Sequence, residues 1–232
     1  AVGVEISTPT SDPSGFWKES WIMENVKVQY NIIENIGYAD NQYGAIGIWL
    51  INETMVSPYY NTFTNILVSN NVLTGDNGGT YRGYAGVYAN LNGTWTGLNI
   101  QNNIATGFSR RGIYIYEHAT DGLDLINSNA TYNLMYDNTL SNLVFIEGSI
   151  NQTNVDITTG NLTSDPLFVG TGTPPADYKL TDNSPARDAG ISVGLTKDYG
   201  NFNVPVGPLP DIGAWEYGAD VTPPNWHPTG LG

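Results

Sequence analysis

Cysteine is absent from this chain, and basic residues are scarce. With no Cys among the 232 residues, a disulfide framework, thiolate chemistry and Cys-based metal sites are all excluded. Only 8 Lys and Arg stand against 22 Asp and Glu, so the formal net charge is −14. A surface this acidic repels phosphate backbones and anionic lipids, which argues against a nucleic-acid partner and against docking on membranes.

Long apolar runs and helical periodicity are missing as well. No apolar stretch is long enough to span a bilayer, so we expect no membrane insertion. Charged residues make up only 13% of the chain, and Asn, Thr, Ser and Gly carry most of its polarity. The hydrophobic content of 40% is nevertheless enough for a sizeable core. These features predict one large all-β domain.

What the chain does contain is a repeated pair of short patterns. In the first pattern an Asn precedes an apolar residue, at Asn31, Asn71, Asn103 and Asn133. The second pattern follows each Asn and occupies 47–50, 86–89, 112–115 and, in degenerate form, 142–145. Successive Asn residues are 40, 32 and 30 positions apart. Internal repeats in this range predict a solenoid.

The repeats favour one particular solenoid. Short alternating strands punctuated by Gly and Asn fit each repeat. An Asn at the same place in successive turns tolerates a left-handed corner, and its amide can bond to the Asn of the next coil to form a ladder. We therefore predict an all-β, right-handed, single-stranded parallel β-helix of roughly four to six coils. A sandwich would need hairpin signals, and a propeller would need longer, four-stranded repeats.

The C-terminal block carries four motifs in order. They read DPLF at 165–168, SPARDAG at 184–190, DYG at 198–200 and DIGAWEY at 211–217. This series resembles the C-terminal signature of secreted and surface-anchored parallel β-helix proteins of the choice-of-anchor type. The resemblance implies a β-helix and an extracellular or cell-surface location, but no reaction, because members carry different sites on the scaffold.

The motifs and repeats together predict four regions. A cap or lead-in occupies 1–25, the coils 26–164, a capping segment 165–217, and a Pro/Gly-rich tail 218–232. Within the capping segment we expect five residues to seal the last coil: Arg187, Asp188, Asp211, Trp215 and Tyr217.

Five Asn-x-Ser/Thr sequons are candidate glycosylation sites. They begin at Asn52, Asn92, Asn129, Asn151 and Asn161. A chain rich in Asn and Thr also generates sequons by chance, so both interpretations stay open. Use of the sequons would place the protein outside the cell and coat it with sugar.

Catalytic candidates are few. Arg110 and Arg111 could neutralise a uronate, with Glu117 or His118 as the base of a polysaccharide lyase. The more ordinary interpretation, a turn-capping Arg pair beside a solvated His, is favoured. Carboxylates show no pairing of the kind that glycoside hydrolysis needs. We therefore expect no enzymatic activity, with a lyase or glycoside hydrolase as the alternative.

Metal ligands and aromatic contacts complete the candidates. We expect no cofactor; weak candidates for Ca²⁺ ligation are Asp76 with Asn77 and Asp198 with Asn201. Four aromatic residues at or near the repeat positions could contact a glycan or a neighbouring subunit: Trp49, Tyr88, Trp95 and Tyr114. Of these, Trp49, Tyr88 and Tyr114 follow apolar inward candidates at odd spacing and are expected to point outward.

The sequence thus supports two functional hypotheses. The first is an extracellular, glycosylated, non-enzymatic β-helix protein with a structural or cell-surface role, able to assemble end to end into a filament because solenoid ends are open. Its partner is then another copy of itself. The second is a carbohydrate-active β-helix, either a polysaccharide lyase or a glycan-binding module, whose partner is an extracellular polysaccharide.

Overall fold

The described part of the chain folds into short β-strands with almost no helix. The computed structural model describes residues 2–7, 22–37, 45–52, 62–76, 82–117, 123–170 and 174–218. The strands within these ranges, in chain order, are β1 (Val2–Ser7), β2 (Ile22–Glu24), β3 (Lys27–Gln29), β4 (Ile32–Ile36), β5 (Ile46–Ile51), β6 (Thr62–Ser69), β7 (Val72–Gly75), β8 (Ala85–Leu91), β9 (Gly93–Gln101), β10 (Ile104–Thr106), β11 (Arg111–Glu117), β12 (Leu123–Ile126), β13 (Asn129–Thr131), β14 (Leu134–Tyr136), β15 (Phe145–Glu147) and β16 (Ile150–Thr153). One 3-10 turn, Ala176–Tyr178, follows them.

The strands form three parallel sheets that the chain visits in rotation. Sheet I contains β1, β5, β8, β11 and β15. Sheet II contains β2, β3, β6, β9, β12, β13 and β16, and sheet III contains β4, β7, β10 and β14. Each strand pairs in parallel with its equivalent one turn later. The predicted all-β class with parallel pairing is confirmed, and the rotation is compatible with a parallel β-helix.

The core lies between the three sheets. In sheet I the second repeat pattern is in register, with Ile48 paired to Val87 and Val87 paired to Ile113. All three side chains are fully buried in one cluster, and sheet III contributes Leu73 and Ala105 to the same cluster. Stacking equivalent residues in successive turns therefore builds a continuous apolar interior.

The corner between sheets II and III corrects one detail of the prediction. The expected left-handed residue was the repeated Asn itself. The left-handed conformation instead belongs to the residue just before it, in five successive turns: Tyr30, Asn70, Asn102, Tyr132 and Gly160. The corner needs a residue with a left-handed backbone, and the ladder needs an amide side chain. The residue before each repeated Asn provides the left-handed backbone, and the Asn itself provides the amide.

The C-terminal block covers the outer face of sheet III, which corrects the expectation that it seals the last coil. Val72, Ile104 and Leu134 alternate with the inward residues of their strands and form a second apolar cluster. Residues such as Ile212 and Trp215 of the block pack on this cluster. Because parallel sheets carry apolar residues on both faces, the outer face of sheet III needs a cover.

Polar contacts fix the block across several coils. The backbone N–H of Gly213 donates to the carbonyl of Asn102 at 2.8 Å. The Tyr178 hydroxyl donates to Glu34 Oε2 at 2.8 Å, far along the sheet. The block therefore runs beside the coils.

Among the described residues, no helix has the length and apolar character needed to cross a bilayer.

Candidate functional site

A ladder of Asn side chains runs along the corner between sheets II and III. The amide Nδ2 of each rung donates to Oδ1 of the next: Asn31 to Asn71 at 2.9 Å, Asn71 to Asn103 at 2.9 Å, Asn103 to Asn133 at 3.0 Å and Asn133 to Asn161 at 3.3 Å. Each accepting Oδ1 also takes the backbone N–H of the preceding rung, at 2.9 to 3.2 Å. The three middle rungs are completely buried. Such satisfied buried amides stabilise the stacking of the coils.

The fifth rung, Asn161, was interpreted from sequence as a glycosylation site. Its Nδ2 donates to the carbonyls of Ala130 and Ile157, both at 2.8 Å. The nitrogen that would carry a glycan therefore already donates the hydrogen bonds that hold Asn161 in the corner between sheets II and III. The sequence signal for the rung was present, because Gly160 precedes it and Leu162 follows it, 28 residues after Asn133.

The other sequons lie in unlike environments. Asn52 and Asn92 are 1% and 2% exposed, which contradicts the expectation of accessible acceptors there. Asn129 is half-buried and donates to Asn99 Oδ1 at 3.0 Å. Asn151, on β16, is the exposed member of the five. Glycosylation thus stays a prediction, and Asn151 is the most accessible of the five candidates, although its Nδ2 also donates to Asp124 Oδ1 at 2.9 Å.

Four aromatic side chains line up on the outer face of sheet I, and we call them the aromatic column. They are Trp49, Tyr88, Tyr114 and Phe145, which are partners in register on β5, β8, β11 and β15. The ring centroids of Trp49 and Tyr88 are 6.4 Å apart with planes 13° apart, and those of Tyr88 and Tyr114 are 5.1 Å and 21° apart. The rings thus face one another along the stacking direction.

Arginine side chains occupy further ring faces of this column. The Arg111 guanidinium lies 3.7 Å from the ring centre of Phe145 and 4.5 Å from that of Tyr114. Arg110 lies 4.7 Å above the ring of Tyr84, which packs beside the column with its ring centre 5.4 Å from that of Tyr88. Sugar stacking requires an open ring face, whereas here the faces meet other rings or guanidinium groups. The column therefore acts first as a brace between coils, a role that the sequence prediction missed.

Burial affects the phenols of the column. Desolvation raises the pKa of both Tyr88 and Tyr114 above the ordinary value of 10.0. The Tyr114 hydroxyl donates to Glu147 Oε2 at 2.6 Å, which raises its pKa further. Both phenols stay protonated at physiological pH, and that of Tyr114 acts as a hydrogen-bond donor.

The prediction for Trp95 is wrong. Its side chain is fully buried in the core, and its ring stacks on Phe63 with centroids 3.7 Å apart and planes 3° apart. The indole N–H donates to the carbonyl of Asn92 at 3.2 Å. Trp95 lies on β9 in register with Phe63 of β6 and Leu125 of β12, a column that points inward. Trp95 therefore contacts neither a glycan nor a partner.

The candidate lyase cluster is not assembled among the described residues. Arg111 and Glu117 lie at opposite ends of β11, roughly 20 Å apart at the rise of an extended strand. Glu117 is 9% exposed, and its Oε2 accepts the backbone N–H of Ser149 at 2.5 Å. His118 lies outside the described residues. Arg110 and Arg111 pack on aromatic rings, so the expected pairing of a cation with Glu117 as base is contradicted.

Three buried carboxylates hold the C-terminal block together. Asp198, Asp211 and Glu216 are 7%, 4% and 6% exposed. Each accepts two backbone N–H groups of the block, at 2.5 to 3.1 Å. Asp211 and Glu216 belong to the DIGAWEY motif, and Asp198 begins DYG, so these motif acids have a structural role.

The hydrogen bonds of Asp198 also argue against the predicted Ca²⁺ site at Asp198 and Asn201. The carboxylate of Asp198 is used by backbone donors, and Asn201 is a left-handed turn residue with φ of 68°. Asn77 lies outside the described residues. Within the described ranges, no three His, Cys, Asp or Glu side chains converge as a metal site would require. The Asp198 turn is therefore held by hydrogen bonds, and binding of Ca²⁺ there has no geometric support.

Burial also makes these acids sensitive to pH. Desolvation raises the pKa of Asp198 and Asp211, and it raises the pKa of Glu216 from 4.5 to about 7. A raised pKa means that the folded chain keeps a proton that the unfolded chain has released. The stability linked to Glu216 is thus fully present below pH 4.5 and is lost as pH rises through about 7.

We expect Glu216→Gln to flatten the pH dependence of stability. In the wild-type chain, Glu216 alone contributes a fall in the free energy of unfolding of up to about 1.4 kcal/mol per pH unit between these two pKa values. The slope measured by urea denaturation from pH 5 to 7 should be shallower in the variant by roughly this amount. Glu24→Gln removes an exposed carboxylate and is the control, with the wild-type slope. Equal slopes in wild type and Glu216→Gln would contradict the assignment.

Comparison with known proteins adds no relative. No family model, curated protein or solved structure matches the chain significantly.

Proposed function

We propose that the chain is a right-handed parallel β-helix that serves as a non-catalytic scaffold on the outside of the cell. The rotation through three parallel sheets supports the helix. Crossover connections between parallel strands are almost always right-handed, which supports the handedness. The C-terminal motifs, and their resemblance to secreted and surface-anchored β-helix proteins, support the location.

One observation carries the non-catalytic role: side chains suited to chemistry are used to hold coils and block in place. The buried amides of Asn71, Asn103 and Asn133 bond to one another. The buried carboxylates of Asp211 and Glu216 accept backbone N–H groups. Groups that are fixed by structural hydrogen bonds are poor general acids and bases, because catalysis requires them to exchange protons with substrate.

Incubation with a panel of uronate polysaccharides tests this proposal. We expect the wild-type protein to form no unsaturated product, measured by ultraviolet absorbance. Arg111→Ala should lower the free energy of unfolding by about 1 kcal/mol, because the guanidinium packs on Phe145 and Tyr114. Product formation by the wild type that is lost in Arg111→Ala at unchanged fold would overturn the scaffold role in favour of a lyase.

Assembly of copies end to end is a second candidate function, supported by the terminal described coils. Interior residues there, including Ile33 in the first coil and Ile150 and Ile157 in the last, are only partly buried against the core. The ladder also has a direction, since each Nδ2 donates toward the later coil. A head-to-tail contact would extend both the core and the ladder.

Sedimentation velocity over a wide concentration range tests the assembly. We expect concentration-dependent growth, which Ile150→Asp abolishes. Leu209→Asp is the matched control, because Leu209 is 49% exposed in the C-terminal block, away from the coil ends. Monodisperse monomers of the wild type at every concentration would rule out the assembly.

A further inference from the structure

A polar groove on the outer face of sheet II stands apart from every feature described so far. It encloses about 320 Å³ and is lined by Asn25, Lys27, Asn65, Leu67, Asn99, Gln101 and Val193. Lys27, Leu67 and Asn99 are partners in register on β3, β6 and β9. The floor of the groove thus crosses three coils, roughly 10 Å at the usual spacing of strands.

The C-terminal block builds one wall of this groove. Val193 lies on that wall, two residues after Ile191. Asn102 fixes the position of Ile191 by a pair of hydrogen bonds: its Nδ2 donates to the Ile191 carbonyl at 2.7 Å, and its Oδ1 accepts the Ile191 N–H at 2.9 Å. The wall is therefore tied to the coils, and the groove is preformed.

Donors and acceptors remain available in the groove. Asn65 uses its Nδ2 to donate to Asn25 Oδ1, and Gln101 uses its Nε2 to donate to Thr131 Oγ1. Among the described residues, nothing donates to Asn65 Oδ1 or Gln101 Oε1, and the Nδ2 of Asn25 has no acceptor. A ligand in this groove would meet two open acceptors and one open amide donor.

Lys27 adds a positive charge that has no ion partner among the described residues. Six other basic residues are described, and each contacts a carboxylate, an amide or an aromatic ring: Arg82, Arg110, Arg111, Lys179, Arg187 and Lys197. Lys27 alone among the described basic residues has no such partner, and it is exposed in the groove. In a chain with net charge −14, an isolated cation marks a place where one negative group is tolerated.

We propose that this groove binds a short oligosaccharide that carries a uronate carboxylate. Hydroxyl groups both donate and accept, so they match the mixed amide surface, and one carboxylate matches Lys27. A peptide strand fits less well, because β6 and β9, which carry most of the groove's floor, are paired on both sides and offer no free edge there. This site lies on sheet II, away from the aromatic column, and its ligand class rests on the proposed location outside the cell.

The test is a titration of the isotope-labelled protein with an aldotriouronate, a trisaccharide that carries a single uronate carboxylate, followed by nuclear magnetic resonance. We expect shifts at the side-chain signals of Asn25, Asn65 and Gln101 and at Lys27 Nζ, and we expect added salt to weaken binding. Lys27→Gln should weaken binding at least about tenfold, as expected for loss of one charge-assisted hydrogen bond. Lys197→Gln, which removes a charge that does not line the groove and that donates to Asn203 instead, should leave the affinity unchanged.

Three results would overturn the proposal. The first is the absence of shifts in the groove at millimolar aldotriouronate. The second is an equal loss of affinity in Lys27→Gln and Lys197→Gln, which would indicate a general charge effect. The third is an equal response to an acidic tripeptide, which would indicate a peptide site. Because the titration reads binding to purified protein, its failure is distinguishable from an error in the proposed location or in the scaffold role.

Discussion

Replacing Asn103 with alanine is expected to lower the free energy of unfolding by about 4 kcal/mol. Oδ1 of Asn103 accepts both the backbone N–H and the side-chain amide of Asn71, at 3.2 and 2.9 Å. Its Nδ2 donates to Asn133 Oδ1 and to the carbonyl of Val68. Alanine would leave several of these donors and acceptors without a hydrogen-bond partner in a fully buried corner, and each such group costs about 1–3 kcal/mol of stability. Native domains are stable by only about 5–15 kcal/mol, so the loss is large.

Urea denaturation measures this effect, and two variants bracket it. Asn151→Ala removes an exposed Asn with one hydrogen bond to Asp124, and we expect a change within about 0.5 kcal/mol. Asn31→Ala removes the first, half-buried rung and should fall between the two, because Asn31 takes no donor from an earlier described rung. Similar effects at Asn103 and Asn151 would show that the ladder does not stabilise the coils.

The second large effect is expected for Trp95→Ala. The ring is fully buried against Phe63, and removing it leaves a cavity in the middle of the core. Loss of a buried Trp costs about 3–5 kcal/mol, because neighbouring side chains relax only partly. Thermal denaturation followed by circular dichroism in the far ultraviolet reports the change.

Trp49→Ala is the matched control for this prediction. Trp49 is half-buried at one end of the aromatic column and belongs to neither apolar cluster, so we expect about 1–2 kcal/mol. The difference between the two variants also tests which side chain points into the core, Trp95, and which points outward, Trp49. An equal or larger cost at Trp49 would mean that the inward and outward assignments are reversed.

The sequence predicted the elements that repeat. Asn71, Asn103 and Asn133 precede apolar residues at regular intervals, and a side chain that bonds to its own equivalent one turn later leaves that period in the sequence. For the same reason the inward positions of sheet I, such as Val87 and Ile113, could be identified from the repeat alone.

Features without a period escaped prediction. Trp95 was a candidate for contact with a glycan or partner because the strand register around it could not be read from its neighbours, and a one-residue shift reverses the face of a side chain. The placement of the C-terminal block depends on contacts such as Tyr178 with Glu34, 144 positions apart. No local pattern encodes a contact of that kind.

The groove on sheet II escaped prediction for a similar reason. Lys27, Leu67 and Asn99 meet only through the pairing of three strands, and Val193 reaches them from a distant segment. Their residue types are unlike one another, so no repeat marks them. A binding surface made of dissimilar residues on a repeating scaffold becomes visible only once the register is known.

Hydrogen exchange of the Asn side-chain amides tests the ladder, and with it the scaffold, most directly. The carboxamide protons of Asn71, Asn103 and Asn133 donate inside a buried corner, so after transfer to deuterated water they should persist far longer than those of exposed Asn151. Exchange of all four residues at the same fast rate, in a chain that is otherwise folded, would contradict the ladder and the stacked coils that it joins.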